Sequence, residues 1–217
     1  MKPQPTLDSK SLKSALSALT KQNAAHMKRF PGDSFARQPV HTVYGGAHLF
    51  KSDLARKLGE LSLRALSRYA PDAITFSRAL AMDEILGMKV YDRVVEKLKR
   101  EAVEDFRIDF EDGYGNRPDS EEDSHAVSAA EEVAKGFHDG TLPPFIGIRI
   151  KTFSNELAMR SARTLDIFLT TLIRSTKGRL PDNFVITLPK IVHVGQASAL
   201  TKILDAFEKK RNCAPAP

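Results

Sequence analysis

Four short β-branched or aromatic runs, each followed by helical apolar spacing, constrain this chain more than any other feature. The runs are Val40-His41-Thr42-Val43-Tyr44, Phe106-Arg107-Ile108-Asp109-Phe110, Phe145-Ile146-Gly147-Ile148-Arg149-Ile150 and Phe184-Val185-Ile186-Thr187-Leu188-Pro189. Apolar residues then recur three and four apart: Leu54, Leu58, Leu61; Val90, Val94, Leu98; Ala130, Val133, Ala134, Phe137; Leu165, Phe168, Leu169, Leu172; Leu200, Ile203, Leu204, Phe207. That spacing puts each set on one helix face. The pattern predicts strands near 40–44, 105–110, 145–150 and 184–189, with helices over about 82–100, 120–137, 155–176 and 196–210. Strand–helix alternation implies parallel strands, neighbours in sequence order, joined by right-handed crossovers. Read as continuous apolar runs, the strands are expected to be covered on both faces. A doubly wound open sheet and part of a (β/α)8 barrel both fit. A whole barrel has eight strands in typically about 250 residues. With 217 residues and four strands, the expected fold class is α/β, with parallel βα units forming about half of a (β/α)8 TIM-type barrel.

Residues 1–38 read as a leader with one helix. Asp8 or Ser9 caps it, Leu12, Leu16 and Leu19 form its stripe, and Phe30-Pro31-Gly32-Asp33 marks the turn after it. Residues 39–211 form the partial barrel, and 212–217 a frayed tail. No apolar run approaches the roughly 18 residues of a membrane span, and the first 30 residues show no apolar signal-peptide core. The single cysteine, Cys213, excludes an internal disulfide and a multi-cysteine metal site. A reducing compartment, the cytoplasm, is expected. The net charge of +6 comes from 33 basic and 27 acidic residues. The excess sits in the leader (Lys2, Lys10, Lys13, Lys21, Lys28, Arg29), on helix faces and in Lys209-Lys210-Arg211, without interleaved aromatics. It reads as solvated surface rather than a nucleic-acid footprint, and neither nucleic acid nor a membrane is an expected partner. A basic pocket for a small anionic molecule agrees with the sign.

In both architectures, function gathers at the C-terminal ends of the strands. Those ends read Tyr44-Gly45-Gly46-Ala47-His48, then Asp109-Phe110-Glu111-Asp112-Gly113-Tyr114-Gly115, then Arg149-Ile150-Lys151, then Pro189-Lys190. Asp109 and Glu111 alternate, so they share a face. Carboxylates on one side of a buried sheet require a cation: a metal, or Arg149, Lys151 or Lys190. The lesser alternative is an ion-pair network that only closes the strand ends. Gly113 and Gly115 permit a tight turn. No G-x-G-x-x-G follows the first strand and no phosphate-binding loop motif occurs, so a dinucleotide site is unsupported. The six histidines show no metal-ligand spacing, and only His48 lies at a strand's active end.

Three of these strand ends together resemble the HpcH/HpaI aldolase and citrate lyase β-subunit superfamily, of the pyruvate/phosphoenolpyruvate-binding barrel type. Ile108-Asp109-Phe110-Glu111-Asp112 is similar to its second-strand signature, Ile148-Arg149-Ile150 to its third, and Leu188-Pro189-Lys190-Ile191 to its fourth. The runs Val40–His48 and Asp109–Arg117 look closest to a poorly characterised aldolase-like branch. The resemblance covers about residues 38–208. It implies a carbon–carbon lyase acting on a 2-oxo acid or acyl-CoA through a Mg²⁺-stabilised enolate. It implies Arg149, Glu111 and Asp112 as catalytic residues, with Arg149 on a substrate carboxylate or enolate oxygen. Gly45, Gly46, His48, Lys151 and Lys190 are implied as substrate-binding, and Asp109 as a supporting residue behind them. The family's metal is bound by a glutamate ending the fifth strand and an aspartate near the sixth. Neither has a matching position here, so no metal ligand is assigned, and a truncated or short form is expected.

Two other readings compete: a non-catalytic interaction or regulatory protein on a half-barrel, and an aldolase using Lys190 or Lys151 as a Schiff base. Open edges on a four-stranded half-barrel invite pairing, so a homo-oligomer is expected.

Overall fold

The computed structural model describes residues 5–211. The tail expected over 212–217, Cys213 and Lys2 lie outside the described residues. The chain separates after Gln38 into two compact units. The first holds α1 (Ser9–Arg29), whose start is fixed by the Asp8 side chain accepting from the Ser11 N–H at 2.7 Å. That bond satisfies one of the donors a helix leaves unpaired at its N-terminus.

The second unit runs β1 (Thr42–Gly46), a 3₁₀ turn (Ala47–Leu49), α2 (Leu54–Tyr69), α3 (Ala73–Ala79) and α4 (Glu84–Glu101). It continues with β2 (Asp105–Asp109), α5 (Asp119–Asp139), β3 (Phe145–Arg149), α6 (Ala158–Ser175), β4 (Phe184–Thr187) and α7 (Val194–Arg211). The sheet is parallel throughout, in the order β1-β2-β3-β4. Sequence neighbours are sheet neighbours, as the strand–helix rhythm predicts. β1 begins two residues later than expected. α3 was not foreseen: seven residues are too few for a periodic signal, and its start rests on Asp72, which accepts from the Thr75 N–H at 2.8 Å. No helix among the described residues is long and apolar enough to cross a membrane.

The expectation of two apolar sheet faces is corrected by the register. One face carries the rows Val43–Phe106–Ile146–Phe184 and Gly45–Ile108–Ile148–Ile186. It packs against Ala126, Ala130 and Val133 of α5 and Leu165, Phe168 and Leu172 of α6, with α2 and α7 contributing Leu58, Leu200 and Leu204. Ile108, Ile146, Ile148, Phe168 and Leu172 are completely buried. Each such side chain is worth about 1.5–3 kcal/mol relative to exposure. The opposite face carries Thr42–Asp105–Phe145, Tyr44–Arg107–Gly147–Val185 and Gly46–Asp109–Arg149–Thr187. Phe-Arg-Ile-Asp-Phe is thus an alternating strand and not a continuous apolar one. Asp105 and Arg107 on this face neutralise each other at 2.5 Å. Register puts Gly147 on the same face, and glycine is needed there because a Cβ would stand 1.9 Å from the Val185 carbonyl oxygen.

Candidate functional site

The last row of the charged face, Gly46–Asp109–Arg149–Thr187, lies at the C-terminal end of the sheet. β2 delivers Asp109 fully buried, and β3 delivers Arg149 beside it. Arg149 donates from Nε to Asp109 Oδ1 at 2.8 Å and from Nη2 to Oδ2 at 2.6 Å. Two parallel bonds of this kind fix a guanidinium plane. The ring of Tyr44, at the end of β1, lies 4.5 Å from the guanidinium carbon. Asp109 also accepts from the Glu111 N–H at 2.9 Å and the Gly113 N–H at 2.7 Å. It thereby shapes the turn after β2. A Cβ on Gly113 would stand 2.7 Å from Asp109 Oδ2, so the turn closes around the carboxylate only with glycine.

Burial works to raise the Asp109 pKa, but the hydrogen bonds from Arg149, Glu111 and Gly113 outweigh it and hold it below the ordinary value. The bond to Asp109 raises Arg149 in turn, against its burial. Both groups are therefore charged at every ordinary pH.

Arg149 Nη1 is different. It stands 3.7 Å from Glu111 Oε2 and 3.8 Å from Asp112 Oδ2, within ion-pair reach but beyond a hydrogen bond. Glu111 is nine-tenths buried, and its Oε2 has no hydrogen-bond partner. The other oxygen, Oε1, pairs with Lys190 Nζ at 2.7 Å. Lys190 also donates to Asp112 Oδ1 at 2.8 Å. Its bonds to Asp112 and Glu111 raise its pKa, and its bond to Asp112 lowers that carboxyl's. Lys190 has a positive φ of 53°, as Ala81, Lys177 and Asn183 do in turns elsewhere, a conformation uncommon for a residue with a Cβ. Three carboxylates thus share two cations, and Arg149 Nη1 and the buried Glu111 Oε2 face each other within ion-pair reach but without a hydrogen bond.

Arg149, Glu111, Asp112, Asp109 and Lys190 are brought together. Gly46 adjoins them: a Cβ there would stand 2.4 Å from the Gly113 carbonyl oxygen. Gly45 and Lys151 are turned elsewhere, and the His48 ring stands against Gly46, 2.6 Å from where a Cβ would be. Gly45 faces the core, where a Cβ would meet Phe106 Cζ at 2.6 Å. The buried Lys151 ammonium donates to the carbonyls of Phe110 at 2.5 Å and Gly115 at 3.2 Å and pairs with Glu122 at 3.1 Å. His48 packs edge-on to Tyr114, whose hydroxyl is 2.7 Å from His125 Nδ1. Burial lowers the His48 pKa, with Arg117 and His125 adding to the effect. Burial also pushes the Tyr114 hydroxyl up to about 12. A Schiff-base nucleophile must lose its proton. The raised pKa of Lys190 and the three oxygen partners of Lys151 both oppose that role.

The sequence reading missed Tyr44 and Glu122. Tyr44 could have been found from strand parity, since it shares a face with the residues of the cluster. Glu122, one of the acids in the first turn of α5, does not simply face solvent at the positive end of the helix dipole. It is instead 1% exposed, accepts from the Thr164 hydroxyl at 2.5 Å and pairs with Lys151 and Arg160. Partners roughly 30 to 40 residues away leave no local signal.

A Mg²⁺ ion is implied by the resemblance and can be tested against these residues. Asp109 is saturated by Arg149 and two backbone donors, and Lys190 occupies one oxygen of each of the other acids. Among the described residues no group of three His, Cys, Asp or Glu side chains could hold a metal ion. The acids present do not fit the ion.

Residues 19–216 match the family model described as Domain of unknown function (DUF6986), and the chain belongs to that family. No curated protein and no solved structure matches the chain.

Proposed function

We propose that this DUF6986 member is a carbon–carbon lyase of the aldolase type. In this reading its sheet is half of a (β/α)8 barrel, and the charged face is the barrel interior. The observation that carries the reading is the pair left open at the strand ends: Arg149 Nη1 as donor and buried Glu111 Oε2 as acceptor. One-sided helix cover over a charged inner face supports the barrel half of the proposal, because a doubly wound sheet requires apolar residues on both faces.

The open pair selects a ligand. It suits a β-hydroxy carbonyl group, that of a 4-hydroxy-2-oxo acid or a 3-hydroxyacyl-CoA. The carbonyl oxygen accepts from Arg149 Nη1, and the hydroxyl donates to Glu111 Oε2. In cleavage the hydroxyl proton passes to Glu111, a new carbonyl forms there, and the adjacent carbon–carbon bond breaks. Its electron pair moves onto the first carbonyl oxygen as an enolate. Arg149 meets that developing charge without reorganising, because Asp109 already holds it. Proton transfer back from Glu111 to carbon completes the turnover.

The test is release of a 2-oxo acid from 4-hydroxy-2-oxo acids, coupled to NADH oxidation, with and without Mg²⁺. Turnover lost in Arg149→Lys supports the proposal. Absence of turnover there and on 3-hydroxyacyl-CoAs, assayed by release of acetyl-CoA, leaves the second reading, a non-catalytic half-barrel. That reading is favoured by the ion pairs that tie β2, β3 and the segment after β4 together whether or not a ligand binds.

A further inference from the structure

We infer that Lys151 is a positioning residue of the strand-end site: its buried ammonium ties together the two ends of the turn that carries Glu111 and Asp112, and so sets where Glu111 meets Arg149. The inference rests on the lyase reading for its effect on turnover, and on the fold alone for its effect on the turn.

The first observation is how the turn over residues 110–115 is held. A carboxylate gathers its donors: Asp109 accepts from the Glu111 and Gly113 N–H groups at 2.9 and 2.7 Å. An ammonium gathers its acceptors: Lys151 Nζ donates to the carbonyls of Phe110 at 2.5 Å and Gly115 at 3.2 Å, the residues that open and close the turn. Within the turn, the Glu111 carbonyl accepts from the Tyr114 and Gly115 N–H groups at 3.1 and 2.8 Å. One anion and one cation, from β2 and from the segment after β3, thus fix the turn at four backbone points.

The second observation is what Lys151 itself rests on. Lysine is almost never fully buried unless it is paired, and this side chain is 5% exposed. Glu122 Oε2 of α5 stands 3.1 Å from Nζ, off the line of a hydrogen bond, and the Tyr114 ring centroid lies at 5.1 Å. Glu122 is anchored in turn to α6, where its Oε1 accepts from the Thr164 hydroxyl at 2.5 Å and stands 3.5 Å from Arg160 Nε. The ammonium is therefore fixed to two helices, and the turn is fixed to the ammonium. A buried ion pair is by itself weak evidence for stability; this one gives the turn a rigid reference point. A compact charge with three rotatable donors suits such an irregular set of oxygens, which a planar guanidinium does not match.

The consequence falls on Glu111. Its Oε2 stands 3.7 Å from Arg149 Nη1 without a hydrogen bond, and its Oε1 is held by Lys190, whose side chain is 57% exposed. The place of this buried carboxylate is therefore set largely by the backbone that carries it. Arg149 is held separately, by its two bonds to Asp109. When the turn shifts, Glu111 shifts against a stationary guanidinium. A misplacement of about 1 Å at a reacting group costs on the order of 100-fold in rate.

The experiment compares wild type, Lys151→Ala and Lys151→Met by amide exchange and by turnover of a 4-hydroxy-2-oxo acid. Each is measured with and without propylammonium, the fragment that the alanine variant lacks. In Lys151→Ala the Glu111, Gly113 and Gly115 amides should exchange at least about tenfold faster, while those of Ile108 and Ile148 keep their protection. Propylammonium should restore the turn, and tetramethylammonium at the same concentration, which has no N–H to donate, should not. In the same variant kcat should fall at least about tenfold with KM within about threefold, and return with propylammonium. Lys151→Met keeps the aliphatic packing and should show the same local loss without rescue, which keeps the test decisive if the alanine variant misfolds. Unchanged exchange at the turn, or faster exchange that includes Ile108 and Ile148 equally, overturns the positioning role. Unchanged kcat in the variants of an active wild type overturns it too. A wild type without turnover, with the local loss and its rescue intact, counts against the lyase reading alone.

Discussion

Replacing Arg149 with methionine removes the two bonds to Asp109 while keeping most of the packing volume. Asp109 has a side chain only 1% exposed, and that of Arg149 is 19% exposed. Stranding one partner of a fully buried pair costs about 3–5 kcal/mol. The partial exposure of Arg149 and the two backbone donors that Asp109 retains reduce this to roughly 2–4 kcal/mol. The assay is urea unfolding at neutral pH for Arg149→Met, Asp109→Asn and the double variant. The double variant should be more stable than the two single losses added together, with a coupling of about 1–3 kcal/mol. The pH dependence has a defined sign. The pKa of Asp109 is depressed in the folded state, so its contribution is complete above its unfolded value near 4 and is lost as pH falls through the folded value. Wild-type stability should therefore decline below about pH 4, and Arg149→Met should show a shallower decline there. A cost under about 0.5 kcal/mol for Arg149→Met, or no coupling in the cycle, would refute the argument that this pair is buried and mutually dependent.

Other consequences are open to direct measurement. Gly147→Ala forces a Cβ to within 1.9 Å of the Val185 carbonyl, so β3 and β4 must separate; a loss of about 1–3 kcal/mol in urea unfolding is expected. Lys190 sits at φ 53°, so Lys190→Gly should be more stable than Lys190→Ala by about 1 kcal/mol, although both lose the same ion pairs. Equal stabilities in thermal unfolding would show that the left-handed conformation carries no strain. Glu122→Leu removes the carboxylate that Lys151 and Arg160 share, but Lys151 keeps the carbonyls of Phe110 and Gly115 and Arg160 keeps Asp123, so a cost of about 1–3 kcal/mol is expected. Tyr114→Phe removes one hydrogen bond to His125 and should cost about 1 kcal/mol by the same measurement.

The strand order and the charged cluster were legible because both rest on local patterns. Apolar periodicity located four strands and the principal helices. Charges placed where a strand should be buried marked Asp109, Glu111, Arg149 and Lys190. What was not legible depends on distance along the chain or on fine parity. Asp109, expected only to stand behind the catalytic residues, is the primary partner of Arg149, because register sets them side by side on β2 and β3. Lys151 follows a strand end as Arg149 does, yet it turns to the carbonyls of Phe110 and Gly115 and to Glu122. Only the tertiary packing of α5 supplies that acid. Gly45 and Gly46 are adjacent and look alike in sequence, but one makes room for the Phe106 ring and the other for the turn at Gly113.

The central claim is that Arg149 and Glu111 meet the two oxygens of a β-hydroxy carbonyl substrate. The most direct measurement is kcat for cleavage of a 4-hydroxy-2-oxo acid by wild type, Arg149→Lys and Glu111→Gln under identical conditions. The account predicts turnover by the wild type and a fall of about 100-fold or more in each variant, the usual effect of removing one such donor or proton acceptor. Turnover that is indifferent to both substitutions, or no turnover by a correctly folded wild type, would contradict it.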